Sequence, residues 1–144
     1  TISWARENAK ALALKTWRSE WAAHPHTNLA ATALSSAPST KLSPFHRSFN
    51  GPRAVHSRII QTILGHSFCG EYYARFVPSE PTSCPCGDPH QTRAHILTDC
   101  PLYDPYRHHL RAASPTLSLP ILLSTKSGLE AIAKFFSESH AFSK

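Results

Sequence analysis

The sequence predicts a mainly α-helical protein. Apolar residues recur near one helical face in long stretches at both ends of the chain and in its middle. No segment alternates apolar and polar residues as a half-buried strand would. Twelve prolines against five glycines divide the 144 residues into short elements. Hydrophobic residues make up 41% and charged residues 17%, a balance that folds rather than stays disordered. The length suits one domain, or a compact domain with an arm.

Residues 1–23 read as that arm. Trp4, Ala11, Leu14 and Trp21 fall near one helical stripe with Trp17 beside it, and Arg6, Lys10 and Arg18 lie off it. This predicts an amphipathic helix packed on its own domain, in preference to a partner-binding helix, and forming the link from an upstream domain. Residues 24–50 read as an irregular Pro/Ser-rich linker, in which His24 and His26 are exposed loop residues rather than ligands.

Residues 51–144 read as the helical domain proper. A helix is predicted over 52–66, with Asn50 as cap, Pro52 in the first turn and Val55, Ile59, Ile60 and Ile63 on the buried face. Gly65 or the region of Gly70 stops it. A short aromatic helix follows over Gly70–Phe76, ended by Pro78 and Pro81. Tyr72 and Tyr73 could stack on bases beside arginines, but core packing is the favoured role. A short basic helix is predicted over 102–112, and a buried turn over Leu119–Leu123. In the last helix Ser127 and Glu130 are expected to form a capping box ahead of Leu129, Ile132, Ala133 and Phe136.

The most informative segment is Cys84-Pro85-Cys86-Gly87, followed by His95 and Cys100. The pattern is C-x-C-x8-H-x4-C. Three thiolates with one imidazole are a donor set for tetrahedral zinc. A positive φ at Gly87 would let the turn close, so that its N–H groups face the sulfurs. His95 and Cys100 are five residues apart, so on a continuous helix they would diverge by about 140°. The helix carrying His95 must therefore end before Cys100, and Pro101 favours that stop. With Cys84, Cys86, His95 and Cys100 all engaged, no position remains for a catalytic water, which predicts one structural Zn2+. The architecture expected is thus a small helical domain organised around one CCHC-type zinc loop, with an N-terminal helical arm. Cys69 lies outside the pattern and reads as a small buried residue.

The formal net charge of +6 and a pI near 9.4 favour a polyanionic partner. Arg53, Arg58, Arg75, Arg93, Arg107 and Arg111 are the candidates to contact the phosphates of RNA or DNA. No run of 18 apolar residues would cross a membrane, and no signal-peptide pattern opens the chain. Clustered cysteines suit metal ligation in a reducing compartment, which implies an intracellular, nuclear or cytoplasmic setting. The lack of any methionine suggests a piece of a longer chain. The nine acidic residues are scattered, with Asp88, Asp99 and Asp104 read as turn or cap residues. No carboxylate cluster, phosphate loop or nucleophile elbow is present, so no enzyme and no small-molecule substrate is expected.

One further reading rests on resemblance. Gly65-His66, the run Gly70–Phe76, Cys84-Pro85-Cys86-Gly87, Gln91–Leu97, Cys100-Pro101-Leu102-Tyr103 and the closing Ala141–Lys144 resemble the C-terminal region of fungal non-LTR (LINE-type) retrotransposon polyproteins. In those proteins this region follows the reverse transcriptase and RNase H domains. The resemblance implies a non-catalytic tail that helps hold RNA or DNA near the polymerase, with upstream polyprotein domains as partners. It carries over Cys84, Cys86, His95 and Cys100 as metal ligands and supplies no base-contacting residues. Only the H-x4-C half matches the retroviral zinc knuckle. The alternative is a zinc-stabilised protein-interaction or scaffolding module. An exposed apolar stripe on the first helix would favour that alternative, and a continuous basic face would favour nucleic acid.

Overall fold

The computed structural model describes residues 1–23 and 39–144. His24 and His26 lie outside the described residues. Helices and the loops between them make up the described chain, and no strand occurs among its residues. In order, the elements are α1 (Ile2–Ala23), α2 (Pro44–Ser48), α3 (Arg53–Leu64), α4 (Gly70–Phe76), α5 (Arg93–Thr98), a 3-10 segment (Pro101–Tyr106), α6 (His108–Ala113), α7 (Leu119–Ser124) and α8 (Lys126–Ser139).

α8 is the centre of the core. Its Leu129, Ile132, Phe135 and Phe136 are buried, and it packs on α2, α3, the 3-10 segment, α6 and α7. α3 supplies Val55, Ile59 and Ile63 from its apolar face. Ile96 and Leu97 from α5, Leu110 from α6 and Leu122 and Leu123 from α7 complete the cluster. Each fully buried leucine or isoleucine contributes about 1.5–3 kcal/mol of transfer free energy, so this cluster dominates folding.

Several local expectations are corrected. α1 forms over the predicted stretch but buries none of its residues. Trp4 and Trp17 are 68% and 47% exposed, so the stripe is not packed into the domain. Inside the segment read as linker, Ser43 caps α2 by accepting a hydrogen bond from His46 N–H. Phe45 of α2 enters the core, which therefore draws on residues ahead of 51. α2 rests on α3 through a 2.9 Å contact between His46 Nδ1 and His56 Nε2, and Phe49 stacks on His56.

Asn50 does not cap α3. Pro52 occupies that place with no side-chain hydrogen bond, while Gly65 ends the helix in the left-handed region at φ 80°. Thr125, not Ser127, caps α8 by accepting from Gly128 N–H. The stretch 102–112 divides into the 3-10 turns and α6, because Pro105 falls inside it.

Candidate metal centre

The metal-loop cysteines and histidine come from three short pieces of chain. Cys84 and Cys86 flank Pro85 in a turn closed by Gly87 N–H donating to Cys84 O at 3.0 Å and Cys84 N–H donating to Asp88 O at 2.8 Å. Gly87 has φ 103°, a conformation side chains resist. His95 sits in the first turn of α5, whose N-cap Thr92 accepts from His95 N–H at 3.0 Å. α5 stops at Asp99, and Asp99 N–H and Cys100 N–H both donate to His95 O, at 2.9 and 2.8 Å. That stop swings Cys100 back to His95, as the five-residue spacing requires.

One ligand atom from each of Cys84, Cys86, His95 and Cys100 lies within 4.8 Å of the others. Cys84 Sγ and Cys100 Sγ are 3.6 Å apart, and Cys86 Sγ is 3.3 Å from His95 Nε2. A tetrahedral ion with Zn–S bonds near 2.3 Å and Zn–N near 2.1 Å places sulfurs about 3.8 Å apart, and sulfur and nitrogen about 3.6 Å apart. The observed separations match those edges within a few tenths of an ångström. A disulfide would bring two sulfurs to about 2.05 Å, and all the cysteines are free thiols. The four residues can hold a metal ion.

The surroundings suit thiolates. Asp88 N–H donates to Cys86 sulfur and, with side-chain contacts from the neighbouring ligands, lowers that thiol to about 7 against opposing burial. Cys100 is pushed up to about 12, first by burial and then by the nearby sulfurs, against a donation from Leu102 N–H. Three thiols this close cannot all ionise without a cation among them. Gln91 donates toward Cys84 Sγ at 3.8 Å, and its Oε1 accepts from Gly70 N–H at 3.1 Å. Asp88 Oδ2 stands 3.5 Å from His95 Nδ1 while Oδ1 accepts from His90 N–H. A carboxylate behind a ligating imidazole fixes its orientation and raises its basicity. Asp88 is thus both the turn residue expected and a partner of the ligand set.

Two arginines lock the loop into the domain. Arg93 is 7% exposed and binds both carboxylate oxygens of Glu71, at 2.6 and 3.0 Å, and Thr62 O at 2.8 Å. Arg107 is 2% exposed and donates to Leu97 O at 3.1 Å, Ile96 O at 3.4 Å and Cys100 O, while its Nη1 meets Asp104 at 3.0 Å. It satisfies the open carbonyls at the end of α5. At Gly70, where α4 begins, a Cβ would stand 2.0 Å from Thr82 O, so the chain before Cys84 can pass only a glycine.

These placements correct the expected phosphate-contacting set. Arg93 and Arg107 are buried with their donors engaged inside the fold, and neither presents a guanidinium to a partner. Arg58 is half-buried and donates to Phe136 O and Ala141 O. Arg111 is exposed and meets Asp104 at 3.2 Å. Arg53 and Arg75 are exposed, the latter over the Phe76 ring. Cys69 is buried in the core, as expected. Tyr72 packs against the core edge and on Phe76 and His66 rather than standing clear. Among the described residues no helix is long and apolar enough to cross a membrane.

Comparison with protein-family profiles, curated proteins and solved structures finds no match to this chain.

Proposed function

We propose that this chain is a non-catalytic, zinc-organised helical module that binds single-stranded RNA or DNA through its phosphates, and that it derives from the tail of a retrotransposon polyprotein. The observation that carries the nucleic-acid reading is the charge of the α2–α3 region. Lys41, Arg47, Arg53 and Arg58 lie there, and no acidic residue occurs from position 39 to 70. Lys41, Arg47 and Arg53 are exposed. Elsewhere acidic side chains offset the basic ones, as at Arg93–Glu71 and Lys126–Glu130. A patch of one sign attracts a polyanion without selecting sequence. The closed ligand set supports zinc as the ion and a structural role for it, and reduced thiols support an intracellular setting.

Binding of a labelled single-stranded RNA and its DNA counterpart, measured across a salt series, tests the reading. The affinity is expected to fall steeply with salt for wild type. Arg47→Glu with Arg53→Glu should lower affinity and flatten the slope by about 1.4 units, because each phosphate contact on a single strand contributes about 0.7. Salt-insensitive or absent binding by the metal-loaded protein would sink it.

A second reading, a protein-interaction module, is favoured by α1. Its Ile2, Trp4, Leu12 and Trp17 are exposed on a helix in which Leu14 and Trp21 are only half-buried and no residue is fully buried. Self-association or capture of a partner lost in Trp4→Ala with Trp17→Ala, without loss of metal, would support that reading.

A further inference from the structure

The geometry points to a second, open transition-metal site formed by His108, His109 and Glu138, on the face where α6 meets the end of α8. One ligand atom from each of these residues lies within 4.8 Å of the others. The His108 and His109 rings stand 4.0 Å apart between centroids, so successive residues of one helix turn toward the same point.

Two features set the cluster apart from chance surface histidines. His108 Nδ1 lies 3.0 Å from Pro105 O. Donation from Nδ1–H to that carbonyl leaves Nε2 with its free lone pair, the tautomer and orientation that metal-binding imidazoles adopt. His109 Nε2 is buried and pairs with Glu138 Oε2 at 2.8 Å, which aims an imidazole nitrogen and a carboxylate at one point beside His108.

Bonds of about 2.1 Å in a tetrahedral site place donor atoms about 3.4 Å apart, so the His109–Glu138 contact must open by about half an ångström. Glu138 can do this, being in the last turn of α8 with a side chain 52% exposed.

Two imidazoles and one carboxylate suit Zn2+, Co2+, Ni2+ or Cu2+ rather than Ca2+ or Mg2+. Three protein donors leave a coordination position open, unlike the filled Cys84/Cys86/His95/Cys100 set. His108 and Glu138 are exposed, so the site is reached from solvent, and a depression of about 250 Å3 lined by His108, His109, Glu130 and Lys134 adjoins it. The Lys134 ammonium opposes a cation there, so the site is weaker than the thiolate site and fills second.

The test uses the full chain loaded with one equivalent of Zn2+ and then titrated with Co2+ at neutral pH. Wild type is expected to take up one further ion, with weak visible absorption and no sulfur-to-metal charge transfer. Glu138→Gln and His108→Ala, both at exposed positions, should each weaken that uptake at least tenfold, since even partners outside the ligand set cost about 10–100-fold. Zn2+ at the cysteines and the helical circular dichroism should not change in either variant. No second ion at submillimolar Co2+ would overturn the inference. So would a second ion bound undiminished by both variants, which would place it elsewhere, for instance at His24 and His26.

Discussion

Cys100 and Cys86 show how a single position governs the metal chemistry. Without a cation the Cys100 thiol is pushed up to about 12 by burial and adjacent sulfurs, and Cys86 is lowered to about 7, chiefly by Asp88 N–H. Cys100 is therefore protonated across pH 6–8 and must lose its proton to bind. Metal affinity is predicted to rise with pH by at least about tenfold per unit in that window, one decade for each proton expelled. Chelator competition at pH 6, 7 and 8 checks it, and a flat profile would contradict it. The arginines separate just as sharply. Arg107→Ala strands the carbonyls of Ile96, Leu97 and Cys100, and should cost about 2–4 kcal/mol in denaturant unfolding. Arg111→Ala removes an exposed pair and should cost no more than about 1 kcal/mol. Residue type alone did not distinguish these two. Arginine reads as a surface cation, and only the fold shows that Arg93 and Arg107 point inward to the carbonyls and carboxylate they neutralise. The clustering of Cys84, Cys86, His95 and Cys100 was legible because thiols, an imidazole and a turn glycine within 17 residues, 84 to 100, share one chemical explanation.

At the scale of elements, periodicity located helices well and packing poorly. α4 falls where the run Gly70–Phe76 between glycine and proline put it, and the stop before Cys100 follows from ligand spacing. The two caps that were misplaced, at Asn50 and Ser127, lie within two residues of the observed N-caps Pro52 and Thr125. Thr125 and Ser127 could each accept the bond, and local sequence does not choose between them, whereas at the start of α3 the N-cap is a proline with no side-chain acceptor. Thr125→Ala should cost about 1 kcal/mol and Ser127→Ala only a few tenths, as measured by thermal unfolding. α2 was hidden because a five-residue helix carries too few apolar positions to show a period, and Phe45 is its one buried residue. α1 erred the other way. Its tryptophans sit at helical spacing, yet no residue of it is buried. Deleting residues 1–23 is predicted to change the stability of the remaining domain by less than about 1 kcal/mol. A loss comparable with a core deletion, about 2–5 kcal/mol, would show that α1 packs after all.

Across the whole molecule, the metal loop and the α8-centred core are one structure. Arg93 ties α5 to α3 and α4, and Arg107 ties the end of α5 to the chain leading into α6. Leu97 beside the ligands is also a core residue. Folding and metal uptake are therefore predicted to be coupled, and removal of an ion bound there should loosen α5 and the segment that follows it before the α3–α8 contact. The net charge of +6 and the acid-free run from 39 to 70 are legible in the sequence, but which arginines remain exposed is not, since that depends on which ones the core consumes. The most direct test of this account is the metal content of the chain purified without chelator under reducing conditions, beside Cys86→Ser. One zinc per wild-type chain is predicted, lost in Cys86→Ser together with part of the helical signal. A wild-type protein that is fully helical with no bound metal would contradict the claim that the ion organises this fold.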